Sequence, residues 1–181
     1  MAKQQHLAQI AVKVKNCFSV RAIAELTMSK KKMPFVNDVC FLEFSNGLTS
    51  NEGFKYDYSN NIVVMMDLMK LRAFKLGLTT LLETKNSTYK NFSNASLSSN
   101  TTDKGQKLIN FKCETKEDQE IYYINVTHGN KECTITLEHF PLASLIEELT
   151  NLCDYSRKKI FELQREMEVF VQKKIEAESQ N

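Results

Sequence analysis

Histidine is the residue of this 181-residue chain best suited to acid–base catalysis or metal binding, and its spacing argues against both. The three histidines, His6, His128 and His139, are too few and too far apart to form a ligand set. The sequence also has no HExxH, P-loop or GxGxxG motif, and no spacing typical of a Ser/His/Asp or Cys/His cluster. We therefore expect a protein that is not an enzyme and that carries neither a cofactor nor a metal.

Cysteine is the second residue type that could do chemistry. The five cysteines, Cys17, Cys40, Cys113, Cys133 and Cys153, are odd in number, form no CxxC pair and stand mostly among apolar neighbours. This pattern predicts buried free thiols in a reducing compartment. No apolar run approaches the ~20 residues that span a bilayer. We therefore expect a cytoplasmic protein (in the host cell if the source is viral) without a membrane partner.

Charge is concentrated at the N-terminus, although the net charge of the whole chain is only +2. Residues 1–34 hold seven basic residues against the single acid Glu25, a balance of +6, which leaves about −4 for the remainder. Leu7, Ile10, Val14 and Phe18 keep roughly helical intervals. We therefore expect residues 1–34 to form a basic arm or helix that adds attraction to phosphates, with a helix-turn-helix as the alternative.

Two distant segments repeat one pattern of a strand followed by a helix. Residues 60–83 (NNIVVMMDLMKLRAFKLGLTTLLE) align with residues 131–154 (KECTITLEHFPLASLIEELTNLCD) at an offset of 71. In both copies a short apolar strand reaches an acid, Asp67 or Glu138, and leucines then recur at helical spacing. The pattern predicts helices at about 67–84 and 141–177, with Asp67 as an N-cap.

Strand-like segments precede each copy. In the second half they are Thr88–Ser93, Lys107–Cys113, Glu120–His128 and Lys131–Leu137, and the last three alternate apolar and polar residues. In the first half, two further segments lie around Val39–Ser45 and Phe54–Ser59. This order predicts an α+β fold in which a strands-then-helix unit is duplicated. The two antiparallel sheets would be followed by a long C-terminal helix.

A doubled unit of this kind resembles the Whirly family of single-stranded nucleic-acid-binding proteins. It is also similar to the half-sized transcriptional coactivator fold that binds single-stranded DNA. The resemblance covers roughly residues 36–154 and rests on the repeated junction and on TYKNFSN, residues 88–94. That stretch is similar to the short strand entering the second sheet in phage and bacterial relatives. The basic Lys-Gly-Lys-Ala motif of the plant family is absent, so the N-terminal segment and the sheet face are both candidate binding surfaces.

The resemblance implies a sheet face that holds unpaired bases of single-stranded DNA or RNA. Single-strand binders combine cations that follow the backbone with rings on which bases stack. The candidate residues are Lys55, Tyr56, Tyr58, Lys90, Phe92, Lys104, Lys112 and Tyr123. The polar segment from Asn94 to Gln106, which contains Lys104, is either a functional or a loose loop. Alternation places Tyr56 and Tyr58 on one face together with Phe54, where all three could instead be core.

The last helix continues past the repeat with coiled-coil spacing. The apolar positions of this stripe, which we interpret as an oligomerisation surface, are Leu149, Cys153, Ile160, Leu163, Met167 and Phe170. The stripe spans only about three heptads, so packing onto the chain's own sheet is the alternative. In terms of domains, we expect a basic segment over 1–34, a duplicated single-strand-binding domain over 35–154 and a helical extension over 155–181.

Two function classes follow from these observations. The first is a non-enzymatic, largely sequence-independent single-strand binder acting in replication, recombination or transcription. The second is an oligomeric scaffold or transcription-regulatory protein that acts through its helices. The abundance of Asn, Lys, Ile and Leu is typical of AT-rich genomes, such as those of many phages and mobile elements. An electropositive outer sheet face would favour the binder.

Overall fold

The chain folds into two antiparallel sheets and two helices in a computed structural model that describes residues 3–28, 34–50, 53–86, 88–91 and 107–179. The first half contains six strands and a helix. In chain order they are β1 (Lys3–Lys13), β2 (Cys17–Met28), β3 (Pro34–Ser45), β4 (Gly47–Ser50), β5 (Gly53–Tyr56), β6 (Ile62–Met66) and helix α1 (Leu68–Thr84). Strands β4 and β5 form a separate hairpin, and the other four make the first sheet in the order β1-β2-β3-β6.

The second half repeats this arrangement. Its elements are β7 (Thr88–Asn91), β8 (Lys107–Lys116), β9 (Gln119–His128), β10 (Lys131–Leu137) and helix α2 (His139–Ser179). The second sheet has the order β10-β9-β8-β7, so each sheet runs through its strands in chain order and ends at an edge strand followed by a helix. The predicted α+β fold with two antiparallel sheets and a long C-terminal helix is confirmed.

The N-terminal segment corrects one expectation. Residues 3–13 and 17–28 are strands, so a helix over this region is wrong. Strand β2 pairs with β3 along its whole length, from Cys17↔Ser45 to Met28↔Pro34, and this places it inside the first sheet rather than in a separate arm. The spacing of the apolar residues wrongly predicted a helix because β1 is an edge strand with a register shift between His6 and Ala8. This shift interrupts the two-residue alternation.

Local signals explain how the first helix begins and ends. The Asp67 side chain accepts a hydrogen bond from the Lys70 amide at 2.7 Å, as its N-cap role predicts. Asp38 of β3 accepts from the Leu68 amide at 2.5 Å, which fixes the helix start against the first sheet. The helix ends at Lys85, whose φ of 59° is left-handed. The Lys85 ammonium pairs with Glu120 and so ties this end to β9 of the second sheet.

The core joins the two halves through aromatic contacts on α1. The Phe74 ring lies 5.8 Å from Phe18 of the first sheet and 5.4 Å from Phe111 of the second, measured between ring centroids. Gly77 lies so close to Phe111 that an added Cβ would be 2.7 Å from its ring. Helix α2 packs on helix α1 and on β1 and β3 of the first sheet. The two units therefore share one core.

The cysteines follow the expected pattern of free thiols. Cys17, Cys40, Cys133 and Cys153 are buried, and Cys113 is half-buried. Burial raises the pKa of the Cys40 thiol to about 12 and that of Cys133 to about 11, so both stay neutral at physiological pH. These thiols pack as small apolar groups.

Neither a metal site nor a membrane span occurs among the described residues. No three His, Cys, Asp or Glu side chains come together there as metal ligands. No helix within the described ranges is long and apolar enough to cross a bilayer.

Candidate nucleic-acid interface

The second sheet has one buried face and one open face. Residues at alternate positions of β8, β9 and β10 are buried in the core, as the alternation predicted. The opposite positions form the outer face of the second sheet. Its members are Leu108, Asn110, Lys112, Glu114 and Lys116 on β8, Ile121, Tyr123, Asn125 and Thr127 on β9, and Glu132, Thr134 and Thr136 on β10. Amide, hydroxyl and charged groups therefore line this surface.

A cluster of four side chains lies on this face towards the turn between β8 and β9. Lys112 stands directly across from Tyr123 in the β8–β9 register. The Glu114 carboxylate forms ion pairs with the ammonium groups of Lys112 and, at 3.3 Å, of Lys116. The Lys116 ammonium also lies 5.4 Å from the centroid of the Tyr123 ring, within the range of a cation–π contact. Two cations, one carboxylate and one aromatic ring thus share one surface site.

The pKa of Glu114 reflects the electrostatics of the cluster. The pKa of Glu114 is lowered to about 2 because its carboxylate accepts hydrogen bonds from Lys112, Lys116 and Tyr123. The pKa of Lys116 is raised because its ammonium hydrogen bonds to Tyr123 and Glu114. Glu114 and Lys116 are therefore both charged throughout the physiological pH range. The site carries a net charge of +1.

The cluster lines a shallow depression of about 360 Å³. Its remaining walls are polar side chains from three strands: Asn110, Asn125 and Thr134. Asn125 donates to Thr134 Oγ1 at 2.8 Å and to Glu132 Oε1 at 2.5 Å, which holds its amide in one orientation. Such a surface offers cations to phosphates, a ring to bases, and amide groups to base edges.

Strand β7 changes the assignment of one candidate. Lys90 pairs with Ile109, a member of the buried row of β8, whereas Tyr89 pairs with Asn110 of the outer row. Lys90 therefore does not share a row with Lys112, and Tyr89 does share a row with Asn110. Two further candidates, Phe92 and Lys104, lie outside the described residues.

The candidates of the first half form a separate patch at the β4–β5 hairpin. Lys55 is exposed, Tyr56 is half-buried and Tyr58 is 57% exposed. The two tyrosine rings lie 6.1 Å apart, and the Tyr56 hydroxyl donates to the Val14 carbonyl at 2.8 Å. Neither ring belongs to the buried core, so the alternative assignment of these tyrosines to the core is wrong.

Two asparagines connect this hairpin to the second sheet. Asn16 donates to the Thr134 carbonyl of β10 at 2.7 Å and accepts from the Gly47 amide of β4 at 2.8 Å. Asn46 donates to the Glu132 carbonyl at 2.9 Å. These contacts satisfy the carbonyls of an edge strand that would otherwise be open to pairing. They also place the start of the hairpin at the β10 edge of the second sheet.

The outer face of the first sheet carries an aromatic–cation pair that sequence reasoning missed. The Arg21 guanidinium lies 5.1 Å from the centroid of the Phe41 ring and 3.2 Å from a Glu43 oxygen. Arg21 and Phe41 are cross-strand partners, as are Lys112 and Tyr123. The Arg21–Phe41 pair could have been predicted only if residues 17–28 had been assigned to a strand.

The two pairs occupy equivalent places in the duplicated unit. The offset of 71 residues that aligns β6 with β10 also aligns Met65 with Thr136. Cross-strand pairing then continues from each of them across two further strands. The two equivalent rows are Met65–Phe41–Arg21 and Thr136–Tyr123–Lys112.

The predicted oligomerisation stripe on α2 divides into two parts. Leu149 and Cys153 are buried in the chain's own core, so their assignment to an intermolecular surface is wrong. Ile160 packs against the same core. Leu163 and Met167 are half-buried where the helix passes β3, beside Gln164, which accepts from the Val36 amide at 2.9 Å. Packing on the chain's own sheet, the alternative, therefore describes the first part of the stripe.

The distal part of α2, from Phe161 onward, exposes several apolar side chains. Phe170 is 70% exposed, and Phe161, outside the predicted stripe, is 73% exposed. Val169 and Ile175 are exposed on the same part of the helix. This segment presents apolar side chains that the described part of the chain does not cover.

Comparison with known proteins identifies solved structures of similar fold. No protein-family model matches the sequence, and no curated protein matches it. Among solved structures, WHY1 from Arabidopsis thaliana is similar over 86% of this chain and 85% of its own, with 14% identity and a TM-score of 0.53. WHY3 from the same plant is similar over 86% and 87%, with 12% identity and a TM-score of 0.50.

A third structure gives the same result. The plant transcriptional regulator PBF-2 is similar over 87% of this chain and 90% of its own, with 12% identity and a TM-score of 0.52. Each of the three similarities extends over at least 86% of this chain and at least 85% of the other, so they apply to most of the architecture. The chain therefore has the Whirly-like fold that the repeated strand–helix junction led us to expect.

Proposed function

We propose that the protein binds single-stranded DNA or RNA through the outer face of the second sheet, largely without sequence preference and without catalysis. The observation that carries this proposal is the convergence of Lys112, Lys116 and Tyr123 in one depression. Lysine attracts phosphates of any sequence, and a tyrosine ring stacks on any base. Duplexes keep their bases stacked internally, so a surface of this kind favours single strands.

The polar surroundings of Tyr123 support the same proposal. A purely structural aromatic residue would be covered by apolar neighbours, whereas Tyr123 stands among Lys112, Asn110, Asn125 and Thr134. The amides can donate to and accept from base edges without selecting one base. The fold is consistent with a role in transcription, replication or recombination, since one structural neighbour is a plant transcriptional regulator.

Fluorescence anisotropy with labelled oligonucleotides tests the proposal. We expect a single-stranded 20-mer to bind more tightly than its duplex, and both affinities to fall steeply as salt rises from 50 to 200 mM. The variant K112A/K116A should bind single strands more weakly. The control K158A/K173A removes two exposed lysines from α2 and should bind like the wild type. Equal affinity for duplex, or no binding at 50 mM salt, would overturn the proposal.

A second candidate is supported by the distal part of α2. Exposed Phe161 and Phe170 on a helix that extends beyond the core favour association between copies of the chain, or a scaffold function through the helices. We expect at least a dimer by light scattering, and a monomer of 20.9 kDa for F161E/F170E. A wild-type mass of 20.9 kDa at micromolar concentration would contradict this.

A further inference from the structure

The position of Glu114 distinguishes the cluster from a simple basic patch. Its two carboxylate oxygens face two different ammonium groups, those of Lys112 and Lys116, and it is hydrogen-bonded to the Tyr123 side chain. Carboxylate and phosphate oxygens accept the same charge-assisted hydrogen bonds from lysine. The carboxylate therefore occupies the place where the lysines and the tyrosine hydroxyl would bind a phosphate oxygen of a nucleic acid.

We propose that Glu114 is an internal competitor of the nucleic acid, which must displace it from Lys112 and Lys116 to bind. The inference rests on the proposed function and adds a regulating residue to the same site. Glu114 sets the affinity of the face below what its lysines alone would give. A strand that also stacks on Tyr123 overcomes this competition, whereas a polyanion without accessible bases has only its charge.

A purely structural role accounts poorly for this arrangement. The β8–β9 pairing continues without interruption from Lys107↔His128 to Lys116↔Gln119, so the ladder does not need the Glu114 carboxylate. Exposed ion pairs contribute little to folding, and the lysine side chains here are 57% and 62% exposed. A carboxylate that contributes little to stability still changes binding, because bringing in a phosphate requires its ion pairs to break.

The decisive variant is Glu114→Gln, which keeps the shape and a hydrogen-bond acceptor for Tyr123 but removes the charge. We expect it to bind a labelled dT20 oligonucleotide roughly two- to thirtyfold more tightly, the range that two exposed ion pairs imply. The slope of log affinity against log salt should change little, because the same two lysines contact phosphates in the bound state of both proteins.

Two controls make the experiment specific. Glu132→Gln removes the same charge from the same face, but Glu132 contacts Asn125 rather than a lysine in the described structure, so it should change affinity much less. In the background K112A/K116A, Glu114→Gln should give no gain, because the competitor acts only through those lysines. Thermal melting, monitored by circular dichroism, confirms that each variant is folded.

The outcomes separate the inference from the function on which it rests. If the wild type binds dT20 and Glu114→Gln binds equally or more weakly, Glu114 is not a competitor of the nucleic acid. The proposed function then stands. An equal gain in Glu132→Gln, or a gain that persists without the two lysines, would also overturn the inference, since either result indicates a general charge effect. If no variant binds dT20 at 50 mM salt, the proposed function fails and the competitor fails with it.

Discussion

The outer faces of the two sheets carry the same motif in different surroundings. On the first sheet Arg21 lies over Phe41 and pairs with Glu43. On the second, Lys112 and Lys116 flank Tyr123 and share Glu114. Both motifs place a cation beside a ring at equivalent positions of the duplicated unit. The first has one cation for its acid, and the second has two.

The neighbours of each ring explain how the faces differ. Phe41 is flanked by Met65 on β6 and by Arg21 on β2, so its ring is packed between an aliphatic chain and a guanidinium. Tyr123 is flanked by Thr136 and Lys112 and lies in an open depression. The duplicated unit thus places an aromatic ring beside a cation on both sheets. We infer that the second sheet is the binding face because its ring lines an open depression, and because Lys112 and Lys116 are 57% and 62% exposed, against 43% for Arg21.

The largest expected effect tests whether the two sheets fold as one unit. Phe74→Ala should lower the free energy of unfolding by about 3–5 kcal/mol, because the ring is buried between Phe18 of one sheet and Phe111 of the other. Urea denaturation should show one transition. The control Leu76→Ala, on the exposed side of the same helix, should change stability little. Two separate transitions would show that the sheets are independent domains.

The second prediction compares the two rings directly. Tyr123→Ala should weaken binding of dT20 by roughly 1–3 kcal/mol, the usual contribution of one stacked base. Phe41→Ala should leave binding nearly unchanged, because that ring does not line the depression that contains the two lysines. Anisotropy titrations at one salt concentration measure both. Equal losses would mean that both sheets are stacking platforms and that the accessibility argument is wrong.

The third prediction compares the two cations. Lys112→Ala should reduce the salt slope by about 0.7, the value for one phosphate contact on a single strand. Arg21→Ala should leave the slope unchanged, since its guanidinium is held by Phe41 and Glu43. Titrations at four or more salt concentrations give both slopes. A smaller slope for Arg21→Ala than for the wild type would assign phosphate contacts to the first sheet as well.

The second sheet was predictable from sequence because its signals are local. Alternation along β8, β9 and β10 identified the buried and open positions, and the turn at Gly129, with φ of 58°, was marked by Gly-Asn. Asp67 marked the start of α1. Lys112 and Tyr123 are cross-strand partners, a relation that follows once the two strands and their turn are placed.

The first sheet could not be predicted in the same way. Strands β1 and β2 mix small apolar residues with basic ones, and their apolar spacing fits a helix as well as a strand. Only pairing with β3, which is a tertiary contact, decides between them. The ion pairs of Glu114 were missed for a related reason. Lys112, Glu114 and Lys116 are neighbours on one face only once β8 extends to Lys116, beyond the predicted end of the strand at Cys113.

The smallest effect concerns the acid of the second-sheet motif. Its folded-state pKa of about 2 lies below the ordinary value of 4.5, so the folded protein binds this proton less readily than the unfolded chain. The ion pairs of Glu114 therefore stabilise the fold above about pH 4.5, and this contribution is lost as the pH falls towards 2.

Glu114→Gln has no such proton to bind, and this makes the contribution measurable. The melting temperature of the wild type should exceed that of the variant slightly at pH 6, and the difference should shrink to zero near pH 2. Circular dichroism melts of both proteins at half-unit steps from pH 2 to 6 measure it. A difference that stays constant, or grows as the pH falls, would mean that the two lysines do not hold this carboxylate in solution. The comparison with the one-to-one Arg21–Glu43 pair of the first sheet would then lose its basis.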